Sequence, residues 1–282
     1  MKLVTYEHNG AARTGVMKNE TAIVDVSAAG DALTIMTDPA ARQRAAAIAA
    51  DPAASLVALD GVRLRAPLAP RALICIGLNY MDHCRETGAP VPTRPVIFAK
   101  FANALAGPGD TIAWHADASA EVDYEAELGV IIGQPCHRVS EADALSYVGG
   151  YTCVNDVSAR DVQMNDGGKQ WTLGKTLDGF CPIGPALVTA DEIPDPQALA
   201  IRCVLNGQVV QNSNTKEMIF GVARLIAHLS HYMTLQPGDL ISTGTPFGVG
   251  MSRTPKLFMK DGDEVVVEIE KIGALKNTTK VV

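Results

Sequence analysis

The stretch of this sequence richest in chemistry is Val122-Asp123-Tyr124-Glu125-Ala126-Glu127-Leu128-Gly129-Val130-Ile131-Ile132-Gly133. Residues two apart on a strand project to one face, so Glu125 and Glu127 point together, and they run directly into an apolar segment that enters the interior. Two carboxylates on one buried face repel, and each is costly to desolvate unless something neutralises it. A hard divalent cation does so through oxygen ligands, which suits magnesium or manganese. Taken alone, the segment reads equally well as a strand mouth with two solvated glutamates. A third acid shifts the balance. Residues 150–161 read as a strand ending at Asn155-Asp156, followed by a helical turn. Glu125, Glu127 and Asp156 together could offer three oxygen ligands and leave positions for substrate and water. Arg160, one helical turn past Asp156, could present a guanidinium to a carboxylate.

These groups need a scaffold, and the pattern of the chain indicates which. Apolar runs of strand length alternate with Gly/Pro/Asp turns from about Arg71 onward, clearest at 73–76, 96–99, 128–132, 200–205 and 240–243. Asn206-Gly207 is a hairpin signal, and a strand is expected over 264–270 with Val265, Val267 and Ile269 on one face. The best long helix runs from about Thr215 to Thr234, and a shorter one opens at Ser140 as N-cap. Strands dominate without regular helical alternation, so the fold class is α+β with a rolled or barrel-like sheet. Residues 1–66 differ: a strand-like start precedes the alanine-rich stretch 40–50, and Pro67 and Pro70 bracket a joint. A small N-terminal α/β domain (1–66) joined to a catalytic domain (67–282) is the expected organisation.

Composition narrows the partners. Hydrophobic residues make up 47% and charged ones 20% of 282 residues, an ordinary globular balance with room for a sizeable core. The formal charge of −7, with Lys and Arg scattered, argues against a nucleic-acid partner. No apolar run reaches the ~18–20 residues of a membrane span. The N-terminus turns polar before any apolar stretch develops, and the cysteines form no Cys-x-x-Cys pair. A cytoplasmic protein with buried, reduced thiols is the expectation.

Several motifs here resemble the catalytic domain of the fumarylacetoacetate hydrolase family. They are Gly77-Leu78-Asn79-Tyr80-x-x-His83, Tyr124-Glu125-x-Glu127-Leu128, Asn155-Asp156-Val157-Ser158-Ala159-Arg160-Asp161, Trp171-Thr172-Leu173-Gly174-Lys175-Thr176-Leu177-Asp178 and 238–246. They cover about 71–275 in family order. The resemblance implies a mixed β-sheet roll, a Mg2+ or Mn2+ ion and a homodimer. It implies metal ligation by Glu125, Glu127 and Asp156, with Lys175 stabilising negative charge beside the metal. Arg160, Gln163 and Thr245 match positions that contact the carboxylate or oxo group of a small 2-oxo acid. His83 and Glu86 match a dyad on a mobile lid, and their spacing of three would set them side by side on a helical turn. His228 and His231 share that spacing, but the carboxylate site accounts better for a metal.

The assembled site implies a reaction. A 2-oxo acid chelates a divalent ion through its carboxylate and keto oxygens, and breaking the bond beyond C3 leaves a pyruvate-like enolate. Activation of water is natural work for a His83-Glu86 pair and favours hydrolysis of an acylpyruvate or 2,4-dioxo acid to pyruvate and a carboxylic acid. The same site would support decarboxylation of an oxaloacetate-type acid or isomerisation of a 2-hydroxy-dienedioate. A ligand-binding relative without activity is the remote alternative. Substrate choice is expected from the N-terminal segment and the polar loop 165–169.

Overall fold

Period-two patterning along the chain produces long antiparallel pairings. Glu264–Ile269 alternates as expected, with Val265, Val267 and Ile269 buried. Ala126–Ile132, by contrast, is buried at every position, as a strand covered on both faces must be. The computed structural model describes residues 1–282 except 167 and 169. Among the described residues, the main sheet runs in the order 56–58, 22–25, 11–17, 2–8, 181–189, 148–155, 126–132, 240–242, 73–77, 96–100. Its pairings are antiparallel except between Leu240–Ser242 and Leu73–Gly77, and between Leu105–Ala106 and the start of Cys181–Thr189. A five-stranded sheet (208–214, 200–205, 264–269, 273–281, 111–114) and the small pair Val122–Asp123 with Ser158–Ala159 complete the mixed, strand-dominated α+β fold.

Residues 1–66 contribute strands to one edge of that sheet. Lys2–His8 pairs with Cys181–Thr189, and the alanine-rich helix Pro39–Ala50, capped by Asp38, lies over the same region. Leu3, Val24 and Ile35 share one apolar cluster with Leu73, Ile131, Val154 and Leu240. Segments on both sides of residue 66 therefore share one apolar cluster.

Two helices differ from expectation. The long one spans Val222–Tyr232, since Gly221 is extended and serves as N-cap while Thr215–Glu217 closes a separate 3-10 turn. Ser140 bonds Asp143 through both its hydroxyl and that residue's N–H, which closes a local turn, and only a 3-10 helix, Ala144–Tyr147, follows. Asn206 and Gly207, both at positive φ, make the expected hairpin turn.

The arrangement that matters most lies at one end of the central sheet. The start of Ala126–Ile132 meets the ends of Val148–Asn155, Leu240–Ser242 and Leu73–Gly77, as the registers Ala126–Asn155, Gly129–Ser242 and Ser242–Cys75 show.

Candidate active site

At that end the three acids converge. Glu125 precedes the central strand and Glu127 is its second residue. The Glu125 N–H donates to Asn155 Oδ1 at 3.1 Å, and the Asp156 N–H donates to Glu125 O at 3.0 Å, which locks the two segments together. One oxygen from each of Glu125, Glu127 and Asp156 then lies within 4.8 Å of the others, and all three residues are buried. The Glu127 carboxylate accepts from the Ser242 hydroxyl and from the Gly244 N–H at 3.0 Å. Gly244 has a φ of 96°, and a Cβ there would fall 2.8 Å from Asn79 Cβ, so glycine is what lets this turn present its N–H to the acid.

Cations balance two of the acids. Lys175 Nζ donates to Glu125 Oε2 at 2.7 Å and to Asp156 Oδ2 at 2.9 Å. It sits on the short helix Thr172–Lys175, which packs so closely that a Cβ on Gly174 would lie 2.5 Å from Gln163 N. Arg160 donates through Nε to Asp123 at 2.8 Å and through Nη1 to Gln163 Oε1 at 3.0 Å. Lys100 reaches the other Asp156 oxygen and the Val157 carbonyl.

The electrostatics follow from these contacts. Burial alone would raise the Glu125 carboxyl, but the Lys175 and Arg160 charges outweigh it and hold its pKa to about 2. Glu127 is pushed well above the usual carboxylate range by burial, then by Asp156 and Glu125. For Lys175, burial works against the ammonium, yet Asp156 and Glu125 win and keep its pKa above the ordinary value. Among the described residues, Glu127 alone of the three acids has no cationic partner. An all-oxygen donor set with one unneutralised carboxylate fits a hard divalent cation.

His83 and Glu86 lie on the helix Met81–Thr87, with His83 Nδ1 3.1 Å from Glu86 Oε2. Glu86 is oriented in turn by the Gly248 N–H at 2.9 Å. His83, Glu125, Glu127, Arg160, Gln163, Lys175 and Thr245 line one cavity of about 200 Å³. Asp156 and Glu86 stand behind that lining and contact it through Lys175 and His83. The Thr245 hydroxyl donates to Ala126 O at 3.0 Å, which fixes it on the cavity wall. Apolar groups complete the lining, with Trp171 edge-on to Phe98 at 5.6 Å and the Lys175 Nζ 5.2 Å from the centre of the Phe98 ring.

A larger groove of about 890 Å³, bordered by the N-terminal strands and the five-stranded sheet, contains none of these residues, so volume alone does not mark the site. Asn165 and Asp166 of the polar loop end a π-helical turn, while 167 and 169 lie outside the described residues. His228 and His231 pack against Tyr232 and do not join the acid cluster. All six cysteines are buried and unpaired, and burial pushes the Cys181 thiol up to about 12.

Sequence reasoning passed over Lys100 and Asp123. Lys100 follows Phe98 on the buried face of Val96–Lys100, and a lysine in that register is a signal of a buried ion pair. Asp123 belongs to the same alternation as Glu125 and Glu127.

An oxaloacetate tautomerase, fahd2, mitochondrial, from Xenopus laevis is 52% identical over 223 residues, covering 79% of this chain and 70% of that protein. Across the first two such relatives the chain spans between 66% and 70% of their length. Among solved structures, a fumarylacetoacetate hydrolase from Exiguobacterium antarcticum superposes with a TM-score of 0.87 at 37% identity, covering 100% of both chains. A 2-hydroxyhepta-2,4-diene-1,7-dioate isomerase from Mycobacterium marinum gives 0.79 at 34%, covering 100% of this chain and 98% of that one. The mitochondrial designation of the Xenopus laevis relative overturns the expectation of a cytoplasmic location. Reduced, buried thiols fit any reducing compartment and could not distinguish one from another. Residues 72–280 match the family described as fumarylacetoacetate (FAA) hydrolase C-terminal, and this chain belongs to the fumarylacetoacetate hydrolase family.

Proposed function

We propose that this chain is an isomerase of 2-oxo diacids that interconverts the enol and keto forms of an oxaloacetate-type substrate by moving a proton to and from C3. The observation that carries the reading is the one cavity lined together by His83, Lys175, Glu125 and Glu127. The oxaloacetate tautomerase and dienedioate isomerase among similar proteins support it over hydrolysis, which the His83–Glu86 pair first suggested.

Glu125, Glu127 and Asp156 would hold a magnesium or manganese ion. When bound, that ion supplies Lewis acidity toward the 2-oxo group and its neighbouring carboxylate. Arg160 and Gln163, already bonded to each other, offer N–H donors to a substrate carboxylate. Lys175, held in its charged form by its carboxylate neighbours, adds positive charge where the C2 oxygen becomes an enolate. Glu86 fixes the His83 ring through Nδ1 and leaves Nε2 to deliver a proton to C3 while the enol hydroxyl gives up its own to solvent, and to remove that C3 proton in reverse as the oxygen is reprotonated. Neither direction consumes water or breaks a C–C bond, which separates this reaction from acylpyruvate cleavage.

Mixing the enol of oxaloacetate with the protein and magnesium or manganese, and following loss of its ultraviolet absorbance, tests the reading. Metal-dependent acceleration exceeding any acylpyruvate cleavage is expected. An acylpyruvate cleaved rapidly with no effect on the enol would instead establish hydrolysis, for which the dyad at 3.1 Å is the supporting feature. A homodimer is proposed from the family resemblance, and sedimentation of the purified chain tests it.

A further inference from the structure

Asp123 is fully buried beside the site, yet it carries no proton in the reaction above. Its carboxylate collects four N–H donors. Tyr124 N at 2.9 Å and Gly250 N at 2.7 Å reach Oδ1, while Met251 N at 3.1 Å and Arg160 Nε at 2.8 Å reach Oδ2. Two of these come from consecutive residues of one turn, and Met251 itself lines the cavity. That turn has no room to shift: a Cβ on Gly250 would lie 1.9 Å from Leu257 O and 2.6 Å from Asp123 Oδ1. Asp123 is therefore held from the side of the turn and from its own backbone, and it holds Arg160 in its turn.

The consequence for Arg160 is geometric. Its Nε is committed to Asp123 and its Nη1 to Gln163, which fixes the plane of the fork. The remaining nitrogen, Nη2, is buried and forms an ion pair with Glu125 Oε1 at 2.7 Å, off the line of a well-formed hydrogen bond. That contact leaves Nη2 without a well-aligned acceptor, and an incoming carboxylate can supply one. Released from Asp123, the fork would be free to turn onto Glu125 and close with it as a bidentate pair.

The geometry assigns to Asp123 the role of a positioning residue, which ties the 250–251 turn to Arg160 and keeps Nη2 available to the carboxylate of a 2-oxo acid. This rests on Arg160 binding that carboxylate, and it does not depend on which reaction follows.

Oxalate, a planar mimic of a 2-oxo acid enolate, reports the role without turnover. Its binding to manganese-loaded protein is measured by calorimetry for the wild type, Asp123→Asn, Arg160→Met and the double variant. Asp123→Asn is expected to weaken oxalate binding by roughly 10-fold to 100-fold, the worth of a charge-assisted hydrogen bond, while manganese affinity stays unchanged. In the Arg160→Met background, the same change should have no further effect, which a merely structural role would not produce. Additive losses in the double variant, unchanged oxalate affinity in Asp123→Asn, or loss of manganese binding there would each overturn the assignment. Should Asp123→Asn fail to fold, Arg160→Lys takes its place: it keeps the charge without the fork, so wild-type oxalate affinity in that variant would overturn the assignment. A wild type that binds oxalate but leaves the enol of oxaloacetate unchanged would refute the isomerase reading alone. One that binds no oxalate would remove the substrate role of Arg160 and this assignment with it.

Discussion

At the scale of single residues, the site is an exercise in unequal neutralisation. Glu125 and Asp156 share Lys175, whereas Glu127 has only the Ser242 hydroxyl and the Gly244 N–H. Burial and the neighbouring acids disfavour a charge on Glu127, so the uncharged, similarly shaped Gln should leave the metal-free protein melting no lower than wild type. Metal affinity should fall by more than roughly 100-fold, because losing a ligand exceeds the usual effect of losing a ligand's supporting partner. Calorimetry with manganese and a thermal melt without it check both halves. A lower melt with intact metal affinity would contradict the assignment. His83→Ala should slow enol–keto conversion by roughly 10²-fold to 10⁴-fold, while decarboxylation of oxaloacetate, which needs no proton from His83 to break its bond, should survive better. Lys175→Ala should depress both, since both pass through the same enolate. Equal survival of both rates in His83→Ala would remove the proton-transfer role. Glu125 and Glu127 were legible as a pair from their spacing of two, although Glu125 stands just before the strand. Lys100 was not, because the apolar run Val96-Ile97-Phe98-Ala99 masks a strand that continues one residue further to place a charge inside.

At the scale of elements, anchoring decides what moves. The helix Met81–Thr87 carries the dyad that the family resemblance places on a mobile lid. It is tied down by Asp82 to Ser213, Arg85 to Glu217 at 3.0 Å and Glu86 to Gly248 at 2.9 Å, and it ends at Gly88 with a φ of 67°. The following Ala89-Pro90-Val91 stretch has no comparable ties among the described residues. Hydrogen exchange should therefore show oxalate protecting 88–91 more than the helix itself, and equal protection with and without oxalate would count against closure. The N-terminal strands offer a pH test. Burial opposes ionisation of Asp25, but the Arg13 guanidinium and the Tyr6 hydroxyl outweigh it and hold the carboxyl below its usual range. A depressed folded pKa stabilises the protein fully above the unfolded value of about 3.9 and loses that contribution as pH falls through the folded value. Asp25→Asn should consequently lower the denaturant midpoint at neutral pH, with the difference from wild type shrinking below about pH 4. A difference that is constant with pH would rule out this linkage. Helix boundaries were the less legible part: the apolar stripe of 215–234 includes Met218, yet the extended Gly221 breaks the element there.

At the scale of the whole molecule, composition and packing divide the chain differently. The sequence changes character near residue 66, which suggested a separate N-terminal domain, because an alanine-rich helix bounded by prolines looks self-contained in one dimension. Strand pairing between distant segments leaves no such mark, so the pairing of Lys2–His8 with Cys181–Thr189 was not legible. The shared cluster makes the two segments energetically dependent. Ile35 is fully buried in it, beside residues of the strands that carry the acids, including Ile131 and Val154. Ile35→Ala should cost about 2–5 kcal/mol, the usual penalty for emptying a well-packed core position. If the segments unfold together, that loss will appear as one cooperative transition shifted to lower temperature, with metal binding and tertiary signal lost in the same step. If they are separate folding units, the melt will split, and the transition that carries metal binding will keep its wild-type midpoint. Calorimetry of the wild type and Ile35→Ala, each with and without manganese, separates the two cases, because manganese stabilises only the unit that binds it. A manganese-induced shift of the entire transition in both proteins is the expected result, since a metal site at the end of the central sheet is then linked to the strands at its N-terminal edge.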